Sequence, residues 1–171
     1  KDAALDHVNV MKQLYAFQTL TILLKLSSGV YNPITIPEIS GISATNYVQF
    51  EPLSGDVSFS AYSADNIVDM RNVGYIRFKN ISFSLPETGV IRGINPSLVR
   101  LNANSTGAQF LNCSFADNSS SQLCTLLLVE GASNVVVDNC SFQGGQIGID
   151  MAGTASDIRA TTTRISHSEF S

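Results

Sequence analysis

Four segments of this chain repeat one eight-residue pattern, and this repeat constrains the fold more than any other feature. The four copies are residues 76–83, 108–115, 135–142 and 163–170. Each copy ends in phenylalanine, at Phe83, Phe115, Phe142 and Phe170. A period of roughly 30 residues predicts a solenoid, in which each repeat packs on the next along one axis.

The pattern inside each copy predicts two short strands joined by a bend. Apolar and polar residues alternate over 76–79, which is typical of a strand with one buried face. The phase slips by one residue at Asn80, and the alternation then resumes up to Phe83. A slip without a long loop indicates a sharp bend, and asparagine tolerates the left-handed backbone conformation that such bends need.

A third strand-like piece precedes the later copies, at residues 98–101, 125–129 and 146–151. Turns of small residues follow each piece, so the sequence predicts three short strands per coil of a parallel β-helix. Successive coils would stack about 4.8 Å apart, which places equivalent residues above one another. The predicted asparagine ladder is Asn80, Asn112 and Asn139, and the predicted core stack is Phe83, Phe115, Phe142 and Phe170.

The ends of the repeat region are less regular. Residues 155–165 also align with 132–142, so the sequence leaves two registers open for the last coil. Upstream, residues 20–26, 34–36, 47–50 and 57–59 predict further strands. The division expected is a capping segment at 1–18 and coils over 19–171, the last coil being continued by more chain or by a partner.

Residues 1–18 predict a short α-helix that caps the first coil. Asp2 can act as its N-cap, and apolar residues follow at helical spacing. These are Leu5, Val8, Met11, Leu14, Tyr15 and Phe17. A cap is expected because an open coil exposes apolar core and an unpaired strand edge.

Composition excludes several classes of function. Charged residues make up only 14% of the chain, the net charge is -4, and the ten Lys and Arg residues are scattered. We therefore expect no nucleic-acid partner, since such proteins carry a basic patch. No membrane insertion is expected either, because every apolar run is shorter than the roughly 18 residues that a spanning helix needs.

Three segments carry a family resemblance. Residues 26–36, 40–50 and 74–83 resemble secreted right-handed parallel β-helix proteins of Bacteroidetes type, and the likeness covers most of residues 3–171. The bend asparagines look like the asparagine ladder of the pectate lyase-like fold. The resemblance implies an all-β, right-handed parallel β-helix in an extracellular or cell-surface setting. It does not imply chemistry, because this fold hosts lyases, hydrolases, adhesins and inert stalks.

No catalytic site is predicted. Glycoside hydrolysis needs carboxylates about 5 to 10 Å apart, on adjacent coils of such a fold. Neither outward column of adjacent coils gathers carboxylates; these columns are Lys79, Leu111 and Asp138, and Arg77, Gln109 and Val136. Asp138, Asp150 and His167 are weak catalytic candidates, the acids being more simply explained as surface residues and His167 as a bend residue.

Other chemistry-bearing residues have structural explanations. No cysteine spacing fits zinc, and Asp65 and Asp69 match no calcium loop, so neither a metal nor a cofactor is expected. Cys113 and Cys140 take an inward position, either as small core residues or as a disulfide. Five Asn-x-Ser/Thr sequons occur, and three of them are the ladder asparagines, whose side chains are expected to face the turn interior.

The sequence favours a non-enzymatic scaffold of a surface adhesin, a stalk or a filament that self-associates head to tail through its coil ends. The alternative is a polysaccharide-active lyase or glycoside hydrolase, or a carbohydrate-binding module. Exposed tyrosines suit sugar binding, and the candidates for this are Tyr31, Tyr47 and Tyr62.

Overall fold

A computed structural model describes residues 21–93, 96–102, 104–120, 123–152 and 163–171. Within these ranges every regular element is a β-strand and there is no helix. The predicted capping helix over residues 1–18 lies outside the described residues. The described ranges accordingly contain no helix long and apolar enough to cross a bilayer.

The strands are short, with two to six residues each. In chain order they are β1 (Ile22–Leu26), β2 (Gly29–Tyr31), β3 (Ile34–Ile36), β4 (Val48–Pro52), β5 (Val57–Ser60), β6 (Ser63–Ala64), β7 (Asn66–Met70), β8 (Ile76–Lys79), β9 (Ser82–Leu85), β10 (Val90–Ile91), β11 (Ser97–Leu101), β12 (Gln109–Leu111), β13 (Ser114–Asp117), β14 (Thr125–Glu130), β15 (Val136–Asp138), β16 (Ser141–Gly144), β17 (Ile147–Ala152), β18 (Arg164–Ser166) and β19 (Glu169–Phe170).

These strands form an all-β parallel solenoid of about five turns, which confirms the parallel solenoid predicted from the repeat. Sheet A has the order β1-β4-β8-β12-β15-β18, sheet B the order β2-β5-β9-β13-β16-β19, and sheet C the order β3-β7-β11-β14-β17. Strands β6 and β10 form a separate two-stranded parallel sheet. Neighbouring strands within a sheet come from successive coils, so each sheet runs along the solenoid axis.

The core is a set of side chains repeated from coil to coil. In sheet B, Phe83 pairs in register with Phe115, Phe115 with Phe142, and Phe142 with Phe170. Their ring centroids are 5.0, 4.6 and 4.8 Å apart along this column. A second column, from sheet A, meets the first edge-on, with Phe110 at 5.6 Å from Phe115. Aromatic pairs favour these offset and edge-to-face geometries.

The register of the last coil, which the sequence left open, follows from the same pairing. Val137 pairs with Ile165 in sheet A, and Phe142 pairs with Phe170 in sheet B. The last coil is therefore aligned as residues 163–170 on 135–142, and not as 155–165 on 132–142. This register stacks Phe170 on Phe142, whereas the other would have placed Ile165 on the phenylalanine.

The strand β7 did not follow from the sequence, where Asp69 suggested at most a metal ligand. Asp69 lies within β7 and is nearly buried, between Val68 and Met70. Arg71 Nε donates to Asp69 Oδ2 at 2.6 Å, so the carboxylate has a cationic partner on its own strand end. Asp69 interrupts the apolar pattern of β7, and a buried carboxylate is tolerated there because Arg71 pairs with it.

The three cysteines are free thiols, and all of them are buried. Cys113 and Cys140 stack in adjacent coils, with the Cys113 amide donating to Cys140 Sγ at 3.4 Å. Burial raises the pKa of Cys113, and burial followed by a hydrogen bond to Asp117 raises the pKa of Cys124.

A side-chain hydrogen bond with Cys113 lowers the pKa of Cys140, so burial alone protects that thiol. We expect all three thiols to resist modification by a thiol-specific disulfide reagent at pH 8, because only an exposed thiolate reacts. The measurement is the release of the coloured thiolate with and without denaturant. All three cysteines should react once the protein is unfolded. Fast labelling of the folded protein would show that the coils open locally.

Candidate functional site

A polar groove runs along the corner between sheets A and B. We call it the ladder groove; it has a volume of about 500 Å³ and crosses four coils. It is lined by the bend residues Asn80, Asn112, Asn139 and His167, by Ser82, Ser114, Ser141 and Glu169 of sheet B, and by Ile81, Cys113 and Cys140 between them. The ladder asparagines, His167 and two of the cysteines singled out from the sequence therefore meet at this one corner.

Left-handed backbone at each bend positions the ladder. The φ angles of Asn80, Asn112 and Asn139 are 55°, 53° and 52°, a conformation that asparagine adopts more readily than most residues. Asn112 Nδ2 donates to Asn80 Oδ1 at 3.1 Å, and Asn139 Nδ2 donates to Asn112 Oδ1 at 2.9 Å. The three amides thus form a continuous hydrogen-bonded row.

The ladder asparagines are exposed, and the prediction that they face the turn interior is wrong. Their backbone amides bond to carbonyl groups of the next coil, as Asn80 N does to Leu111 O at 3.0 Å. The left-handed φ keeps that bond while it leaves the side chain accessible in the groove. The amides can therefore bond to each other and still meet solvent.

His167 ends the row and pairs with a carboxylate. Its φ of 48° is left-handed, like the φ angles of the ladder asparagines. Its Nδ1 lies 2.9 Å from Asp138 Oδ1. Ser166 Oγ donates to the same oxygen of Asp138 at 2.7 Å. Because the serine bonds to the carboxylate rather than to the imidazole, the three residues do not form the nucleophile–base pair of a serine hydrolase.

We expect the last coil to loosen at low pH because of this pair. The hydrogen bond from His167, and then that from Ser166, lower the pKa of Asp138 below its ordinary value of 3.8. Because the pKa of Asp138 is lower in the folded protein, its ionised carboxylate stabilises the folded state above pH 3.8. That stabilisation is lost as the pH falls through the pKa that Asp138 has in the folded protein. The measurement is the amide NMR shifts of residues 164–170 between pH 5 and pH 2.

The Asp138→Asn variant is the matched control, since it removes the titrating group but keeps the shape. The amide shifts of residues 164–167 should lose the transition that the parent shows as Asp138 takes up its proton. The pair is exposed, so high salt should reduce the effect. An unchanged transition in the variant would assign the pH response to another group.

The third catalytic candidate lies elsewhere. Asp150 is on β17 of sheet C, in register with Leu128, whereas Asp138 is on β15 of sheet A. The structure thus brings Asp138 and His167 together and leaves Asp150 on a different sheet. No group of three or more His, Cys, Asp or Glu side chains suited to a metal ion occurs among the residues that the structure describes.

A second, smaller cleft was missed from the sequence. We call it the aromatic cleft; its volume is about 240 Å³ and its lining residues are Ala44, Tyr47, Tyr75, Ile76, Arg77, Gly107, Gln109 and Asn134. Arg77 lies over the ring of Tyr47, with 4.0 Å between its Cζ and the ring centroid. The sequence shows Arg77 and Gln109 in one column, but only the register brings Tyr47, from the preceding coil, beside them.

The other tyrosines considered from the sequence differ in setting. The ring of Tyr31 is tilted against that of Phe59 with 5.5 Å between centroids, and its hydroxyl donates to the Ser27 carbonyl at 2.9 Å. Tyr62 is exposed.

Comparisons with known proteins give little further information. No family model matches the chain, and no curated protein matches it. A crystal structure of a proposed glycosyl hydrolase from Parabacteroides merdae is similar, with 8% sequence identity and a TM-score of 0.38. The alignment covers 98% of this chain and 85% of that chain. A likeness at this level carries no argument about chemistry.

Proposed function

We propose that this chain is a rigid, non-enzymatic β-solenoid scaffold of an extracellular adhesin, stalk or filament. The uninterrupted repetition of side chains along one axis carries the proposal. The sheet B phenylalanine column extends from Phe59 to Phe170, with neighbouring centroids no more than 6.1 Å apart. Bending the solenoid would pull neighbouring coils apart, and would break the ring contacts, the amide hydrogen bonds and the backbone hydrogen bonds between them at the same time. The solenoid therefore resists deformation.

The outer surface supports the same proposal. The outward column of sheet B carries small hydroxyl side chains, and Ser114 Oγ donates to Ser82 Oγ at 2.8 Å. Few residues of the chain are charged, which agrees with an extracellular or cell-surface location. That location is part of the proposal, and antibody labelling of intact cells that express the natural protein tests it.

A screen for polysaccharide turnover tests the absence of enzymatic activity. Purified chain is incubated with pectin, alginate and chondroitin, and new reducing ends and unsaturated products are measured. We expect no release above a blank. Turnover that is abolished by Asp138→Asn or His167→Ala, but not by Asp56→Asn in an exposed loop, would replace the scaffold with an enzyme.

That enzyme is the second candidate, and the Asp138–His167 pair is the observation in its favour. The two groups lie 2.9 Å apart, and His167 lines the ladder groove. A carboxylate that orients an imidazole is an arrangement used for proton transfer. Polysaccharide would then be the substrate or ligand of the groove.

The filament version of the scaffold rests on strand edges. Among the strands that the structure describes, β17, β18 and β19 are last in the three sheets, and β1, β2 and β3 are first. Pairing of one edge with the other on a second copy is a head-to-tail contact that propagates without closing. Electron micrographs that show only single particles at every concentration would exclude this version.

A further inference from the structure

The aromatic cleft contains a guanidinium group that is held in place. Arg77 Nη1 donates to Tyr47 Oη at 2.9 Å and to Gln49 Oε1 at 3.3 Å, while the group lies over the Tyr47 ring. A planar guanidinium fixed by stacking and hydrogen bonds loses little further freedom when a ligand binds. The cleft thus has an oriented cation before any ligand arrives.

The same guanidinium has unused hydrogen-bonding capacity. Both bonds that it makes within the described part of the chain come from Nη1. Its Nε is buried and has no partner among the described residues. Arginine has five N–H donors, and buried donors in folded proteins almost always have acceptors. The described residues leave the Nε edge without an acceptor, and an oxyanion would supply one that matches the arginine in geometry and charge.

The cleft also offers an aromatic ring and amides. Tyr75 has a φ of 52°, unusual for an aromatic residue, and its ring lies against Gly107 of the next coil. A Cβ on Gly107 would lie 2.7 Å from two carbons of that ring, so only glycine admits this placement. The amides of Gln109 and Asn134 complete the lining, and they can donate to and accept from hydroxyl groups.

Charge and size limit the ligand. Among the described residues that line the aromatic cleft, Arg77 is the only charged one, so the site suits a ligand with one negative charge. The volume of about 240 Å³ is below the roughly 300–1,000 Å³ of pockets for drug-sized ligands. Carboxylate is the planar monoanion that suits the fork, and the amides suit hydroxyls beside it.

We infer that the aromatic cleft binds a small hydroxylated carboxylic acid, with its carboxylate on Arg77 and its hydroxyls on Gln109 and Asn134. The site goes beyond the scaffold function and does not depend on it. It uses neither the ladder groove nor the Asp138–His167 pair, so either proposal can fail alone.

The test is an NMR titration that follows the Arg77 Nε–Hε signal, which is assigned by its loss in Arg77→Lys. Burial should make this proton visible at pH 6. The probes are gluconate as an open-chain acid, glucuronate as a ring acid, acetate without hydroxyls, and neutral methyl glucoside, all at matched ionic strength. We expect at least one hydroxy acid to shift the signal and to saturate, with a dissociation constant on the order of 1–10 mM.

The pattern across probes decides the ligand chemistry. Saturation by gluconate assigns an open-chain acid, and saturation by glucuronate alone assigns a ring acid; both outcomes support the inference. Acetate should bind several-fold more weakly and methyl glucoside should not saturate. The inference is overturned if methyl glucoside binds as well as the acids, if acetate equals them, or if no probe moves the Nε signal.

Variants separate binding from folding. Binding by the variants is followed through the backbone amide signal of Gln109, because Arg77→Lys has no Nε–Hε signal. Arg77→Lys keeps the charge but removes the fork, and should weaken binding about tenfold or more. Arg92→Lys, at an exposed position outside the cleft, is the control and should bind as the parent does. Asn134→Gly suits the φ of 55° and removes only the amide, so it should stay folded and bind hydroxy acids several-fold more weakly. Unchanged affinity in both cleft variants would overturn the inference.

Discussion

Replacement of Phe115 by alanine should lower the free energy of unfolding by about 3–5 kcal/mol. Phe115 is fully buried and its ring lies between Phe83 and Phe142, 5.0 and 4.6 Å away. The substitution leaves a cavity that neighbouring coils cannot close, because their backbone ladders fix the spacing. The measurement is denaturant unfolding followed by circular dichroism, with the midpoint and slope compared with those of the parent.

Phe170→Ala is the matched control, since Phe170 continues the same column in the last described coil. Its ring lies 4.8 Å from Phe142, but 55% of the residue is exposed. The loss should be about 1 kcal/mol, because exposed apolar surface contributes little to stability. Equal losses at the two positions would mean that the phenylalanine column is not the packed core.

Replacement of Asn112 by alanine should cost about 2–3 kcal/mol, through backbone strain of about 1–2 kcal/mol and two lost hydrogen bonds. Asn112 has a φ of 53° and bonds to both Asn80 and Asn139. Asn112→Gly removes the same bonds without the strain, and should cost only about 1 kcal/mol. The difference between the two variants in unfolding free energy measures the strain at the bend.

Asn118→Ala controls for the loss of an exposed amide. Asn118 is exposed, and it is absent from the positive-φ positions among the described residues. Its replacement should change stability by no more than about 0.5 kcal/mol. If alanine and glycine at position 112 cost the same, the ladder would depend on its hydrogen bonds alone and not on the left-handed backbone.

The sequence specified the repeating parts of this molecule. Alternation of apolar and polar residues sets which side of each short strand is buried, and that information is local. A recurring phenylalanine and a recurring asparagine then mark equivalent positions in successive coils. Phe83, Phe115 and Phe142 are in one column and Asn80, Asn112 and Asn139 in one row because equivalent positions of a solenoid coincide.

Features that depend on one particular neighbour did not follow from the pattern. Strand β7 was missed because Asp69 interrupts its apolar run, and the carboxylate is explained only by its bond to Arg71. The sequence likewise placed Asp138 and His167 as separate candidates, although they are 2.9 Å apart. The predicted helix over residues 1–18 stays a prediction.

What the sequence by itself determined is the periodic solenoid, its buried face and its bends, because these follow from residue types repeated at local spacing. The tertiary structure alone decided the register of the last coil, the exposure of the asparagine row and the aromatic cleft. Tyr47 and Arg77 come from different coils, and a shift of one coil by a single residue would separate them. Contacts between coils depend on the register of one coil on the next. Because the loops differ in length from coil to coil, the spacing of residues in the sequence does not give that register.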